Sequence, residues 1–340
     1  MIKKIGWYRH ETVAGEFYTY QAKSVSHYVP IGPGDRKPNS QELAAFANEY
    51  PNASIDYMAQ VGCHYEHKVA AQDSVDLPPG CYTHKDANPM TSEPERLCPA
   101  NLREDVYLKI PSIYEPVAED IRSFIENEAV YRDVGTIYKR GILLYGPPGE
   151  GKTSFVRAII KNEIPNDAVV LFFEQMPSND LIKHLKDSLG DRLKVIIFEE
   201  LANLLENTRI ERVLDFLDGE KSLDRCLIFG TTNYPERLPG NIVDRPSRFD
   251  FLHRFAIKTN AERTVLLTHF LKREPVGDEL KAVDKMSAAQ IKEVAMLTFL
   301  RKISVEDAAK RLKNHSELVK KDFAESRKLG LGRGGDDWND

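Results

Sequence analysis

The sequence predicts an α/β fold, a parallel sheet with helices on both faces, followed by a small all-helical lid and preceded by a β-rich or α+β segment. Three observations carry this. Short, nearly continuous apolar runs at 142–145, 168–173, 193–198 and 225–230 alternate with helical patterns, as strands buried on both faces do. From 261 to 314 only helical periodicity is found, for example at 287–297 and 304–312. The first hundred residues instead alternate aromatic and β-branched runs with turn chemistry such as Leu77-Pro-Pro-Gly80.

Taken in order, residues 16–20 and 24–29 read as strands and 40–50 as a helix. Residues 21–38 and 86–101 are rich in Pro, Ser, Asn and Gly, and the second stretch is expected to link to the next domain. An amphipathic helix is expected over 117–128. The expected domains are 1–100, a β-rich or α+β unit that recruits a partner; 101–258, the α/β unit; 259–315, the helical lid; and 316–340, a tail. The end of that tail holds too much glycine and too few apolar residues to fold alone.

Composition narrows the function classes. With 47 basic and 52 acidic residues the net charge is −5, which gives no electrostatic footprint for nucleic acid. No apolar stretch approaches the roughly 18 residues of a membrane span, and residues 1–7 lack a signal-peptide pattern, so a cytoplasmic chain without a membrane span is expected. Of the four cysteines, Cys226 lies in an apolar strand pattern. Cys63, Cys81 and Cys98 share the first hundred residues with His64, His67 and His84 at spacings that match no zinc pattern. Reduced structural thiols are expected there, with a metal site as the open alternative.

The chemistry concentrates in one segment. Gly146-Pro-Pro-Gly-Glu-Gly-Lys-Thr153 is a full G-x-x-x-x-G-K-[ST] loop between the strand at 142–145 and a helical pattern beginning at Ser154. Backbone of Gly146, Pro147, Pro148, Gly149, Glu150, Gly151 and Ser154 is expected to wrap a triphosphate at a helix N-terminus. Lys152 would reach the β- and γ-phosphates and the Thr153 hydroxyl would serve Mg²⁺. The strand at 195–198 ends in Glu199-Glu200; the first carboxylate is expected to hold Mg²⁺ and the second to polarise the attacking water. Asn233, at the polar tip of the strand from Cys226, is suited to position that water. Arg245 and Arg248, three residues apart around a proline, suit insertion into a neighbouring subunit's site.

With these residues in hand, 105–314 resembles the AAA ATPases. The residues that carry the resemblance are 145–153, Glu199-Glu200, Leu217-Asp-Gly219, Thr231-Thr-Asn233 and Arg245-Pro-Ser-Arg248-Phe-Asp250, in the family's order. The resemblance implies a P-loop NTPase fold, ATP hydrolysis with Mg²⁺, and a homo-oligomeric ring, usually a hexamer. It also implies Arg245 and Arg248 acting in trans, Asn233 as first sensor, and adenine contacts from backbone at Val134 and Gly135. Glu199 departs from the usual aspartate, and Pro-Ser-Arg from the more frequent Pro-Gly-Arg. Residues 131–149 and 287–291 are similar to the branch containing the mitochondrial chaperone that translocates the folded Rieske protein; a soluble bacterial or phage relative is expected.

Between the strands at 168–173 and 193–198 there is room for one helix, at 179–189, and no aromatic–hydrophobic–glycine loop, so hand-over-hand threading of unfolded polypeptide is not expected. The leading reading is a ring ATPase that remodels or translocates a protein partner recruited by residues 1–100. The alternatives are a nucleic-acid motor or loader, against which the balanced charge argues, and a nucleotide-dependent scaffold that hydrolyses weakly, which Glu199 keeps open.

Overall fold

The computed structural model describes residues 7–12, 15–20, 25–30, 53–57, 63–69, 75–88, 94–102, 107–218, 222–257 and 259–328. The expected helix at 40–50, Gly219 and the end of the tail lie outside the described residues.

Among the described residues seven strands come first: β1 (Tyr8–Thr12), β2 (Gly15–Thr19), β3 (Val25–Pro30), β4 (Ala53–Tyr57), β5 (Cys63–Val69), β6 (Gly80–Lys85) and β7 (Arg96–Pro99). Alternation follows, through α1 (Pro111–Glu126), α2 (Glu128–Val134), β8 (Lys139–Tyr145), α3 (Lys152–Glu163), β9 (Val169–Phe173), α4 (Asn179–Ser188) and β10 (Lys194–Phe198). Next come α5 (Leu201–Glu206), α6 (Ile210–Asp218), β11 (Cys226–Thr232), α7 (Gly240–Val243) and β12 (Phe251–Arg254). The helices α8 (Asn260–Leu271), α9 (Glu279–Ala282), α10 (Ala288–Arg301) and α11 (Val305–Lys328) close the order. The expected helix at 117–128 begins earlier, at Pro111, because proline's fixed φ and missing N–H suit a first helical position.

Two compact units result, one of Met1–Asp105, Ala118–Tyr145 and Val156–His253, the other of Val106–Val117, Gly146–Phe155 and Arg254–Asp340. The first is built on a nine-stranded sheet of order β1-β2-β7-β6-β9-β10-β11-β8-β12. Its centre is parallel, with β10 between β9 and β11, and β11 beside β8. Every residue of β10 is buried, which is why its sequence shows no polar alternation. Each of its Val, Ile and Phe side chains contributes about 1.5–3 kcal/mol relative to exposure.

The sheet does not stop at the boundary expected near residue 100. Strand β6 pairs in parallel with β9 from Gly80↔Val169 to Thr83↔Phe172, β7 runs antiparallel to β6, and β2 and β1 follow outward. Strand β7 lies inside the stretch expected to be a linker. The packing agrees: Trp7, 1% exposed, donates from Nε1 to Ser188 Oγ at 3.0 Å and meets the His184 ring edge-on, both on α4. Local sequence cannot reveal this, because a four-residue strand is named by partners far away in the chain. Strands β3, β5 and β4 form a separate antiparallel sheet.

In the second unit, α8 and α10 begin at capping boxes, Thr259 with Glu262 and Ser287 with Gln290. Glu262 also accepts a hydrogen bond from the Ser112 hydroxyl at 2.8 Å. Leu266, Leu267, Ile291, Val294, Val305 and Ala308 are buried, while Phe155 packs edge-on against Tyr107, Tyr114 and Phe255. Among the described residues no helix is long and apolar enough to cross a membrane.

Candidate active site

The phosphate loop belongs to the second unit. Gly146, Gly149 and Gly151 take φ of 152°, 79° and 93°, which side chains rarely adopt. At Gly146 a Cβ would lie 2.1 Å from the Phe255 carbonyl oxygen, so only glycine lets the loop pass that backbone. Lys152 is buried, and its ammonium donates to the carbonyls of Gly146 and Pro147 at 2.8 and 2.9 Å. Phe155 N–H donates to the Gly151 carbonyl, closing the first turn of α3. These residues fit a triphosphate: glycine-only turns, a helix start with first-turn N–H groups that lack acceptors within the helix, and a lysine folded over the loop.

Glu150 does something its sequence position did not suggest. Its side chain is buried, and the carboxylate accepts from the N–H groups of Ile257 at 3.4 Å and Ala288 at 3.3 Å. Ala289 N–H donates to the Gly149 carbonyl at 2.8 Å. The loop is thus fastened to the start of the lid helix α10. Burial raises the Glu150 carboxyl above its ordinary value, and the hydrogen bonds from Ala288 and Ile257 only partly offset this.

The first unit holds the carboxylates and Asn233. Because β8, β10 and β11 are parallel, their carboxyl ends, Tyr145, Phe198 and Thr232, share one edge of the sheet, where α/β sheets bind ligands. Glu200, just past β10, sits at φ 52°, ψ 55°, an uncommon conformation for a non-glycine residue. Its N–H donates to Thr231 Oγ1 at 3.2 Å, and its carboxylate accepts a short hydrogen bond from Asn233 Nδ2. The strained turn and two hydrogen bonds thus fix the carboxylate expected to polarise water. Glu199 lines a cavity of about 170 Å³ with Arg157, Glu174 and Phe172. Burial raises its carboxyl, Arg157 opposes the rise, and the charges of Glu200 and Glu174 add to it.

The two arginines part company. The Arg245 side chain is 66% exposed, with Nε 3.6 Å from Asp218. Arg248 is 5% exposed: its Nε donates to Asp218 Oδ2 at 2.9 Å, and Nη1 makes a short bond to the Asn241 carbonyl. A Cβ on Gly141 would fall 2.0 Å from the Arg248 carbonyl oxygen, and Asp250 accepts from the N–H groups of Gly141 and Ser247. The arginine loop is therefore bolted onto β8, and Arg248 is a bolt within its own chain. Arg248, expected to act in trans alongside Arg245, is held in this structure by a carboxylate of its own chain, Asp218 at the end of α6. At the expected adenine contact, Val134 is 69% exposed and Gly135 caps α2 in the left-handed conformation.

Comparison with known proteins agrees with this geometry. Residues 142–257 match the family described as ATPase family associated with various cellular activities (AAA). Residues 142–257 are an AAA ATPase domain. Around this AAA domain the chain is 29% identical over 211 residues to the probable mitochondrial chaperone bcs1 of Schizosaccharomyces pombe, covering 58% of this chain and 46% of that protein. It is 29% identical to mitochondrial chaperone BCS1 of Danio rerio, covering 61% and 53%, and 28% identical to that of Homo sapiens, covering 53% and 48%. The chain thus spans about half the length of these relatives. The AAA domain binds nucleotide, and its resemblance to the BCS1 branch holds across these relatives.

Sequence reading missed Asp218, the Asp250–Gly141 bolt and the Glu150 link to α10. Asp218 stood within the quoted Leu217-Asp-Gly219, and its pairing with Arg248 was detectable only as charge complementarity across 30 residues.

Proposed function

We propose that this chain is a Mg²⁺-dependent ATP hydrolase that assembles into a homo-oligomeric ring and uses hydrolysis to remodel or translocate a protein partner. The observation that carries the reading is Glu200, held by Asn233 and Thr231 in a strained turn at the sheet edge where α/β folds bind ligands. In this reading the Glu200 carboxylate accepts the proton of a water whose oxygen attacks the γ-phosphorus. The bond from that phosphorus to the β,γ-bridging oxygen breaks, leaving ADP and inorganic phosphate. Lys152 neutralises charge on the phosphates, Asn233 holds Glu200 in register, and Arg245 supplies a guanidinium to a neighbouring subunit. Thr153 and Glu199 would hold Mg²⁺, which when bound neutralises phosphate charge.

A chaperone-like role is supported by the names of the relatives, mitochondrial chaperones. The sheet β3-β5-β4 lies outside the nine-stranded sheet, and within residues 1–100 it is our choice for the partner-facing surface. A cytoplasmic location is proposed with it. The weakly hydrolysing scaffold is the second reading, favoured by Glu199 standing where an aspartate is usual.

The test is the solution mass of Glu200→Gln with and without Mg-ATP, beside steady-state hydrolysis by the wild type. Nucleotide-dependent assembly near six subunits with clear wild-type turnover is expected. Assembly without wild-type turnover would favour the scaffold, and a persistent monomer would overturn the ring.

A further inference from the structure

We infer a divalent transition-metal site, separate from the nucleotide chemistry, made by His84, Asp86 and Glu95 on the β6–β7 hairpin. The hairpin register pairs His84 with Leu97 and Lys85 with Arg96, so one further step sets Asp86 opposite Glu95. Strand alternation then points His84, Asp86 and Glu95 to one face. One ligand atom from each residue lies within 4.8 Å of the others. His84 Nε2 is 2.8 Å from Glu95 Oε1 and 3.5 Å from Asp86 Oδ1. Ligand atoms at about 2.0–2.2 Å from a tetrahedral ion are roughly 3.3 Å apart, so the two distances bracket what such an ion needs. The His84–Glu95 pair would open slightly to admit the ion.

Further features suit a metal site. Glu95 is buried. Its oxygens also accept from Ser178 N–H at 2.8 Å, from the Ser178 hydroxyl and from the Tyr20 hydroxyl at 3.1 Å, outer partners of the kind that orient a ligating carboxylate. Asp86 and Glu95 both line a cavity of about 430 Å³, with Thr19, Tyr20, Ser178 and Arg212. That cavity gives an ion an entry path and leaves its remaining coordination positions open to an oxygen or nitrogen ligand.

One imidazole and two carboxylates suit zinc, iron or manganese better than calcium or magnesium, which favour all-oxygen sets. Cys81 and Cys98 take no part, because the same alternation sets them on the opposite face of the hairpin. His84, one of the histidines named beside the cysteines, belongs to this cluster.

The probe is zinc, titrated calorimetrically into the tag-free full chain after chelator treatment, without nucleotide. Cobalt is then substituted to read ligand-field absorption. One equivalent bound at micromolar affinity is expected. Asp86→Ala, at a 41% exposed side chain that leaves the His84–Glu95 pair intact, is expected to weaken binding at least ~10-fold. His84→Ala is expected to abolish the cobalt bands. No zinc bound, or zinc bound with unchanged affinity by Asp86→Ala, would overturn the site. The second outcome would leave a structural hydrogen bond here and metal held elsewhere. Because Asp86 is a surface residue, that test stands even if His84→Ala fails to fold.

Discussion

Arg248→Ala separates two roles that the motif assigns together. The Arg248 guanidinium is 5% exposed and faces Asp218, itself 12% exposed, with Nε–Oδ2 at 2.9 Å and a further bond to the Asn241 carbonyl. Removing one partner of a buried pair costs about 3–5 kcal/mol, because the survivor remains charged and desolvated. Arg245, with Nε 3.6 Å from the same Asp218, can turn toward it and offset part of that loss. The expected destabilisation is therefore about 2–3 kcal/mol, read by urea unfolding followed by circular dichroism. Asp218→Asn in the Arg248→Ala background should recover roughly 1–2 kcal/mol, since the stranded charge is then gone. Arg245→Ala should change stability by less than about 0.5 kcal/mol, as an exposed charge does. Mixing each variant with Glu200→Gln then divides the roles. Arg245→Ala should regain turnover at mixed interfaces, and Arg248→Ala should not. An Arg248→Ala protein of wild-type stability that regains turnover on mixing would refute the cis assignment.

Two other substitutions probe the same domain. Asn233→Ala removes a hydrogen bond to the Glu200 carboxylate, and a bond to a charged group contributes about 1.5–3 kcal/mol, so kcat should fall roughly 10- to 100-fold with ATP affinity little changed. Turnover within about twofold of wild type would remove Asn233 from that role. Glu150→Gln tests linkage between pH and stability. Burial raises the folded Glu150 carboxyl above its ordinary 4.5, so the folded state binds the proton more tightly than the unfolded one. Its contribution is greatest below pH 4.5 and is lost as pH rises through the folded value. Glu150→Gln should remove that part of the slope; slopes identical to wild type would show that Glu150 does not titrate as placed.

The parts of the fold and site legible in the sequence are those written by adjacent residues. The phosphate loop, the strand before Glu199-Glu200 and the polar end of β11 each declare themselves, because an apolar run followed by special turn chemistry has few other uses. The parts that were not legible depend on residues far apart in the chain. Strand β7 is four residues among prolines and gains its identity from β6 and β2; Arg248, in a loop, gains its partner from Asp218 on α6. The motif at 245–250 names residue types but not directions, and direction decides function here. Proline at 246 and a positive φ of 76° at Ser247 turn the chain between the two arginines, so that Arg245 stays largely exposed near Asp218 while Arg248 is buried against it. The serine at 247, where a glycine is more frequent, accepts that left-handed conformation with its N–H held by Asp250, whose other oxygen holds Gly141 of β8. A minor departure from the family's pattern is therefore absorbed by a bond to the central sheet, and the same bond helps set which arginine lies exposed.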